Sequence, residues 1–248
     1  MKISIITATY NNEKTIADTL FAVSSQTYKN IEHLIIDGKS TDNTLKIINE
    51  NSPKTKIFSE SDNGIYDALN KGISHATGDI IGFLHADDIY ANNTTIEKII
   101  ATFKANNCDA VYSDLHYVSQ NDVNKIIRNW KSDKFEYSNL KKGWMPPHPT
   151  FFVKKEIYNK FGNFNTNYKI AADYDLMMRM LGKHKISVAY LPEVTVKMRV
   201  GGESNKSIKN ILKKMKEDLK VIKTNEIGGF FTLVRKNTSK ISQFFSAK

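Results

Sequence analysis

Residues 61–88 read SDNGIYDALNKGISHATGDIIGFLHADD, and this stretch decides the fold. Its segment Asp79 to Leu84 contains IIGFL, five residues without a charge, which reads as a central parallel strand buried on both faces. His85, Ala86, Asp87 and Asp88 then fall just past the strand's carboxyl end, where ligands bind in open α/β sheets. Two adjacent carboxylates there repel each other unless a cation lies between them, and hard oxygen ligands suit Mg2+ or Mn2+ held jointly with a diphosphate. An Asp-Asp pair also opens turns, so the pair taken alone leaves both readings standing.

Outward from that stretch, strands and helices alternate. Lys2 to Ala8, Glu32 to Asp37, Lys54 to Ser59 and Asp109 to Ser113 read as strands. Glu13 to Ser25, Asp42 to Asn51 and Gly64 to His75 read as helices, and another begins at Thr94, which forms a capping box with Glu97. The order predicts a doubly wound, mostly parallel α/β sheet. Leu115 to Pro149 is irregular and richer in aromatics and Pro, as expected of a segment that shapes an acceptor cleft.

The 248 residues, 40% of them hydrophobic, suffice for one α/β domain with an appendage. A single cysteine, Cys108, rules out an internal disulfide framework and points to a reducing compartment. No signal pattern and no bilayer-length apolar run is present, so a cytoplasmic protein, free or peripheral, is expected. Gly38-Lys39-Ser40 imitates the end of a P-loop, but His33 stands where the first glycine belongs. No dinucleotide fingerprint follows the first strand, and the six His show no zinc-ligand spacing.

Charge is uneven. Residues 204–248 hold eleven basic against three acidic side chains, a net +8 of the total +10. The basic balance therefore lies outside the motif-bearing domain and argues against nucleic acid. In Ser207 to Lys223, Ile208, Ile211, Leu212, Met215, Leu219 and Ile222 recur at helical spacing among lysines. Phe230, Phe231, Leu233, Val234, Ile241, Phe244 and Phe245 follow, with Arg235, Lys236 and Lys240. Such basic amphipathic stretches suit an anionic membrane surface; a helix packed on the domain, or one that dimerises, shows the same stripe.

ISIITATYNN from Ile3, SQTY from Ser25, IIDGKSTDNT from Ile35, DNGIYDALNKG from Asp62, ADD from Ala86 and ADYDL from Ala172 with Arg179 occur in order over about two hundred residues. Together they resemble the family 2 glycosyltransferases that build bacterial surface polysaccharides. The resemblance implies a GT-A-type domain over 1–203, with a nucleotide-sugar-binding half (1–113), an acceptor-binding half (114–203) and a basic helical tail (204–248). It implies that Ala8, Thr9, Tyr10 and Asp37 hold the base and ribose, although Asp37 also fits a turn cap. It places Asp62, Asn70 and Lys71 near the donor, and Arg199 with Gly201-Gly202-Glu203-Ser204 resembles the signature that closes the catalytic domain.

Chemistry divides the acidic motifs. A nucleoside diphosphate leaving group is stabilised by a metal, with Asp88 as the ligand and Asp87 bridging to the metal or ribose. The acceptor hydroxyl needs a general base. Asp175 and Arg179, four apart on a helix, can pair, whereas Asp173 has no such structural role and is assigned as the base. The family more often shows Glu-Asp here, and Ala172 stands at the Glu position. The family implies a single displacement with inversion. Trp144 and His148 are expected on the acceptor side, His148 being equally compatible with a satisfied loop histidine. The expected reaction moves a hexose or N-acetylhexosamine, from a UDP-sugar first of all, to a glycan acceptor on a polyprenyl diphosphate, as in O-antigen or capsule synthesis. A sugar nucleotidyltransferase and a noncatalytic sugar-binding module are the alternatives.

Overall fold

A computed structural model describes residues 1–52, 55–201 and 208–238. The expectations placed on Lys54, on 202–204 and on Lys240, Ile241, Phe244 and Phe245 lie outside the described residues. Four strands form a parallel block in the order β3-β2-β1-β4: β1 (Ile3–Thr9), β2 (Ile31–Asp37), β3 (Lys56–Ser59) and β4 (Ile80–Phe83). Their apolar residues alternate between two buried faces, as a sheet covered on both sides requires. On one face α3 (Ile65–His75) lays Ala68, Leu69 and Ile73 against Ile6, Leu34, Ile36, Ile81 and Phe83. On the other, α1 (Ile16–Ser24), α2 (Thr44–Asn51) and α4 (Thr95–Asn106) cover Ile3, Ile5, Ile35 and Ile80. Each fully buried Ile or Leu contributes about 1.5–3 kcal/mol.

Beyond β4 the sheet becomes mixed. β8 (Phe152–Lys154) runs antiparallel to β4 and to β6 (Ala110–Val118), which pairs in parallel with β9 (Val188–Arg199). β5 (Ile89–Tyr90) and β7 (Ile126–Trp130) flank β9 and β6 antiparallel. Six of the nine described strands therefore run in one direction, which agrees with a mostly parallel sheet. Gly82 makes the β4–β8 contact possible: a Cβ there would lie 2.2 Å from the Phe152 ring.

Two local expectations are corrected. Thr94 makes no side-chain cap bond, because Glu97 instead accepts from the Thr27 hydroxyl at 2.8 Å. The region after Ser113 is not irregular throughout: β6 continues to Val118 and turns back through β7.

The chain closes with α5 (Tyr137–Lys141), α6 (Lys155–Phe161), α7 (Ala172–Met177) running into a π-helical turn at Met178–Lys183, α8 (Ile208–Thr224) and α9 (Phe230–Thr238). The basic helix α8 packs on the domain: its Val221 and Ile222, with Ile227 just beyond it and Leu233 of α9, join the same apolar cluster as α3 and α7. Lys236 is buried, pairs with Asp218 at 2.6 Å and lies 3.3 Å from the Tyr174 ring centroid. Its apolar stripe continues past this contact as Ile211, Leu212 and Met215, which remain exposed with Phe230, Phe231 and Val234.

Candidate active site

Parallel register carries the ends of β1 and β2 to one edge, where Thr9 lies opposite Asp37. Asp37 is fully buried, and its carboxylate accepts from the Ser40 N–H at 3.2 Å and from the Ser40 and Ser59 hydroxyls at 2.5 and 2.6 Å. The turn-capping geometry is thus realised. Asp62 accepts from the Gly64 N–H at 2.9 Å and sits over Gly38, where a Cβ would meet its carboxylate at 2.6 Å and the Tyr10 Cβ at 3.6 Å. Thr9, Tyr10, Gly38 and Asp62 therefore form one rim, with Ala8 half-buried behind it and Tyr10 60% exposed. Lys71 is spent on its own loop, donating to the Ser61 carbonyl at 2.7 Å and pairing with Glu60. Asn70 is likewise engaged, exchanging hydrogen bonds of 2.9 and 3.0 Å with the backbone of Phe164. Neither is brought to the carboxylate pair.

That pair is held by three threonines the sequence did not single out and by Arg199, which it did. Thr7, Thr15 and Thr19 donate their hydroxyls to the carbonyls of Leu84, Ala86 and Asp88 at 2.7, 2.9 and 2.8 Å. The Arg199 guanidinium donates to the Asp87 carbonyl and the Asp18 carboxylate. Asp88 is 1% exposed: Oδ1 accepts from the Arg199 N–H at 3.2 Å, and Oδ2 is buried with no hydrogen-bond partner. Burial first, then the Asp87 charge, pushes the Asp88 carboxyl well above its usual range, against the weaker pull of Arg199. An orphaned hard oxygen beside a second carboxylate is the donor set a Mg2+ or Mn2+ ion relieves. Among the described residues no cluster of three or more His, Cys, Asp or Glu side chains is poised for a metal, so such an ion would rest on Asp88, Asp87 and the ligand's own oxygens.

Asp173 opens α7 and reaches the same place. Its Oδ1 accepts from the Tyr174 N–H at 2.8 Å and from the Tyr66 hydroxyl at 3.3 Å. Burial and then the Asp173 charge hold the Tyr66 phenol well above its ordinary pKa, so it stays a donor. Asp175 pairs with Arg179 at 3.6 Å, as the spacing predicted. His85 and His148 have ring centroids 5.9 Å apart, and His148 packs against Phe83 and Phe164. Burial lowers both pKa values, that of His148 to about 4, although the Asp173 charge opposes the shift in each. Both rings are therefore neutral near pH 7. The His85 Nδ1 and His148 Nε2 atoms are buried without a hydrogen-bond partner, so His148 is not a satisfied loop histidine. Trp144, in contrast, packs on Tyr112 and Phe135 at 5.7 and 5.9 Å, which leaves its ring less free to stack on a sugar than expected. Tyr66 and the three threonines were missed because single hydroxyls carry no spacing signal, and His85 was legible only as a residue past the strand end.

A mostly parallel sheet with paired carboxylates past its central strand is the architecture of the GT-A-type glycosyltransferases. The chain belongs to glycosyl transferase family 2, whose family model matches residues 4–170. It is 29% identical over 219 residues to a PGL/p-HBAD biosynthesis glycosyltransferase of Mycobacterium tuberculosis, covering 86% of this chain and 83% of that protein. Its fold is similar to that of S. aureus TarS 1-349 in complex with UDP-GlcNAc, with a TM-score of 0.70, 20% identity, and coverage of 90% of this chain and 66% of the other. It is also similar to the mannosyltransferase PcManGT from Pyrobaculum calidifontis in complex with GDP-Man and Mn2+, at TM-score 0.66 and 17% identity over 99% of this chain and 73% of the other.

Proposed function

We propose that the protein is an inverting, divalent-cation-dependent transferase that moves a hexose or N-acetylhexosamine from a nucleotide sugar, a UDP-sugar first of all, to a glycan acceptor carried on a polyprenyl diphosphate. The observation that carries this reading is the convergence of two acidic motifs far apart in sequence: the Tyr66 hydroxyl donates to Asp173 at 3.3 Å, and a run of packed rings, Tyr66, Phe164, His148 and His85, leads from there to Asp87, two residues past His85. The rim of Thr9, Tyr10, Asp37 and Asp62 receives the nucleoside, and Asp87 and Asp88 receive the diphosphate end. A divalent ion bound there supplies Lewis-acid stabilisation of the departing diphosphate. Asp173 removes the proton from the acceptor hydroxyl as it attacks the anomeric carbon, while the Tyr66 hydroxyl fixes the carboxylate's orientation. Neutral His85 and His148 line the buried wall between the two acidic motifs.

The UDP-GlcNAc complex of TarS supports the choice of donor class. Among the described residues no helix is long and apolar enough to cross a membrane. Exposed Ile211, Leu212, Met215, Phe230 and Phe231 lie among Lys213, Lys216, Lys220 and Arg235, which favours peripheral contact with the anionic cytoplasmic leaflet. Asp173→Asn tests the chemistry: donor binding measured by calorimetry stays within about two-fold, while transfer falls by at least about a hundred-fold, in the range of general-base loss. Transfer at wild-type rate in that variant would remove Asp173 from its role.

A further inference from the structure

Helix α8 begins well past residue 170, where the family match ends, yet it reaches back to the segment that precedes the candidate base. Glu217 is half-buried on it. Its Oε1 accepts from the Lys169 N–H at 3.1 Å, and its Oε2 accepts from the N–H groups of Ile170 and Ala171 at 2.8 and 3.0 Å. Those amides lead directly into α7, whose N-cap, Ala171, has no side chain with which to cap. A helix start leaves backbone N–H groups without intrahelical partners and favours a negative charge. One carboxylate from α8, 46–48 residues on in sequence, binds the N-cap amide of Ala171 and the two amides before it, and sets a negative charge at the helix start.

The same short segment is gripped from the other side. Tyr66 donates to the Ile170 carbonyl at 2.8 Å and to Asp173 at 3.3 Å. One turn on, the Asn225 amide donates to Asp175 at 3.2 Å, and Lys220 lies 5.5 Å from the Tyr168 ring centroid. Backbone 169–171 is therefore clamped between α8 and α3, and Asp173 follows it by two residues. The backbone that carries Asp173 cannot shift as a body without straining these bonds.

We propose that Glu217 is a positioning residue for sugar transfer: by holding the 169–171 amides it fixes Asp173 where it meets the acceptor hydroxyl, so that the basic C-terminal helix is part of the catalytic apparatus. This rests on Asp173 being the base. Glu217 touches neither substrate nor Asp173, and its effect is on geometry, where a displacement of about 1 Å can cost about a hundred-fold in rate.

The test uses the full chain with Mn2+, a nucleotide-sugar donor and a lipid-diphosphate acceptor, in wild type, Glu217→Gln, Glu217→Ala and Asp173→Asn. Calorimetry with the nucleoside diphosphate gives the number of competent sites, and steady-state kinetics gives kcat per competent site. The proposal expects Glu217→Ala to lower kcat per site by about 10- to 100-fold, with donor KM and binding stoichiometry within two-fold of wild type. Glu217→Gln, which keeps one acceptor oxygen, should fall between. Amide hydrogen exchange should quicken at 169–171 in step with the loss of kcat. A role in stability alone would lower the stoichiometry and leave kcat per site unchanged in Glu217→Gln, and that result overturns the proposal. Full transfer activity in Asp173→Asn would overturn the assignment of the base itself, whatever the Glu217 variants do.

Discussion

Replacing Asp88 by Asn should stabilise the metal-free protein while removing its response to cation and nucleotide. In the folded chain Asp88 is 1% exposed, with one oxygen bonded to the Arg199 N–H and the other unpartnered. The substitution keeps the shape and the bond from Arg199, and replaces a buried charge by a buried neutral amide. The Arg199 guanidinium partly compensates that charge, yet burial and Asp87 outweigh it and shift the carboxyl towards its protonated form. An unsatisfied buried polar group costs about 1–3 kcal/mol, and more when charged; the difference between the two orphans is on the order of 1–2 kcal/mol. For a chain of this length that corresponds to a rise of about 2–8 °C in Tm. In wild type, a nucleoside diphosphate with Mn2+ at about 100 times its Kd should add about 2.7 kcal/mol, and the variant should lose most of that gain. Scanning calorimetry with and without Mn2+ and UDP measures both terms. A lower apo Tm in Asp88→Asn, or a ligand-induced shift equal to that of wild type, would refute the account of this residue as a strained cation ligand.

Gly82→Ala should cost about 1–3 kcal/mol, as overpacking does, since the new methyl would lie 2.2 Å from the buried Phe152 ring; an unchanged urea midpoint would contradict the β4–β8 contact. Glu32 is buried, which alone would raise its pKa, but the Thr77 N–H, Lys56, and the Ser4 and Thr77 hydroxyls pull it below the usual carboxylate range. Because the folded pKa is depressed, this stabilisation is complete above the ordinary carboxylate pKa of about 4.3 and is lost as pH falls below it. Between pH 7 and pH 3 the Tm of wild type should therefore fall more steeply than that of Glu32→Gln; parallel curves would show that the network carries no linkage. Phe231→Glu, at a side chain 81% exposed, should weaken co-sedimentation with anionic vesicles several-fold and leave turnover of a detergent-dispersed acceptor unchanged; binding equal to wild type would remove α9 from the membrane contact.

What was legible in the sequence is what a period or an uncharged run encodes. IIGFL read as a strand buried on both faces, and β1 and β2 follow from the largely apolar runs at residues 3–6 and 34–36. The α8 stripe gave a helix from Ser207 to Lys223, against Ile208–Thr224 in the structure. The pattern could not say that Ile222, at the end of that stripe, would be covered while Ile211 and Met215 stayed bare. The β6–β7 hairpin was hidden because Tyr117, Arg128 and Trp130 stack on one face, so polar and aromatic residues fill positions where an apolar alternation was sought. Thr94 and Glu97 satisfied the capping-box spacing, but Thr27 offered Glu97 a competing donor from 70 residues away. At the site, Asp87, Asp88 and Asp173 were readable as acids past element ends. Tyr66, the threonine hydroxyls and Glu217 were not, because each acts through hydrogen bonds to groups distant in sequence, and such bonds leave no local trace.

The most direct test of the central claim is a donor-consumption screen. Purified protein is incubated with UDP-, GDP- and dTDP-sugars and lipid-diphosphate-linked GlcNAc or GalNAc, in Mn2+ or Mg2+ and in chelator, and the nucleoside diphosphate released is measured. The account predicts chelator-sensitive release from one donor with matching glycan product, lost in Asp88→Ala and in Asp173→Asn. No donor consumed and none bound, under conditions where the protein is folded, would contradict it.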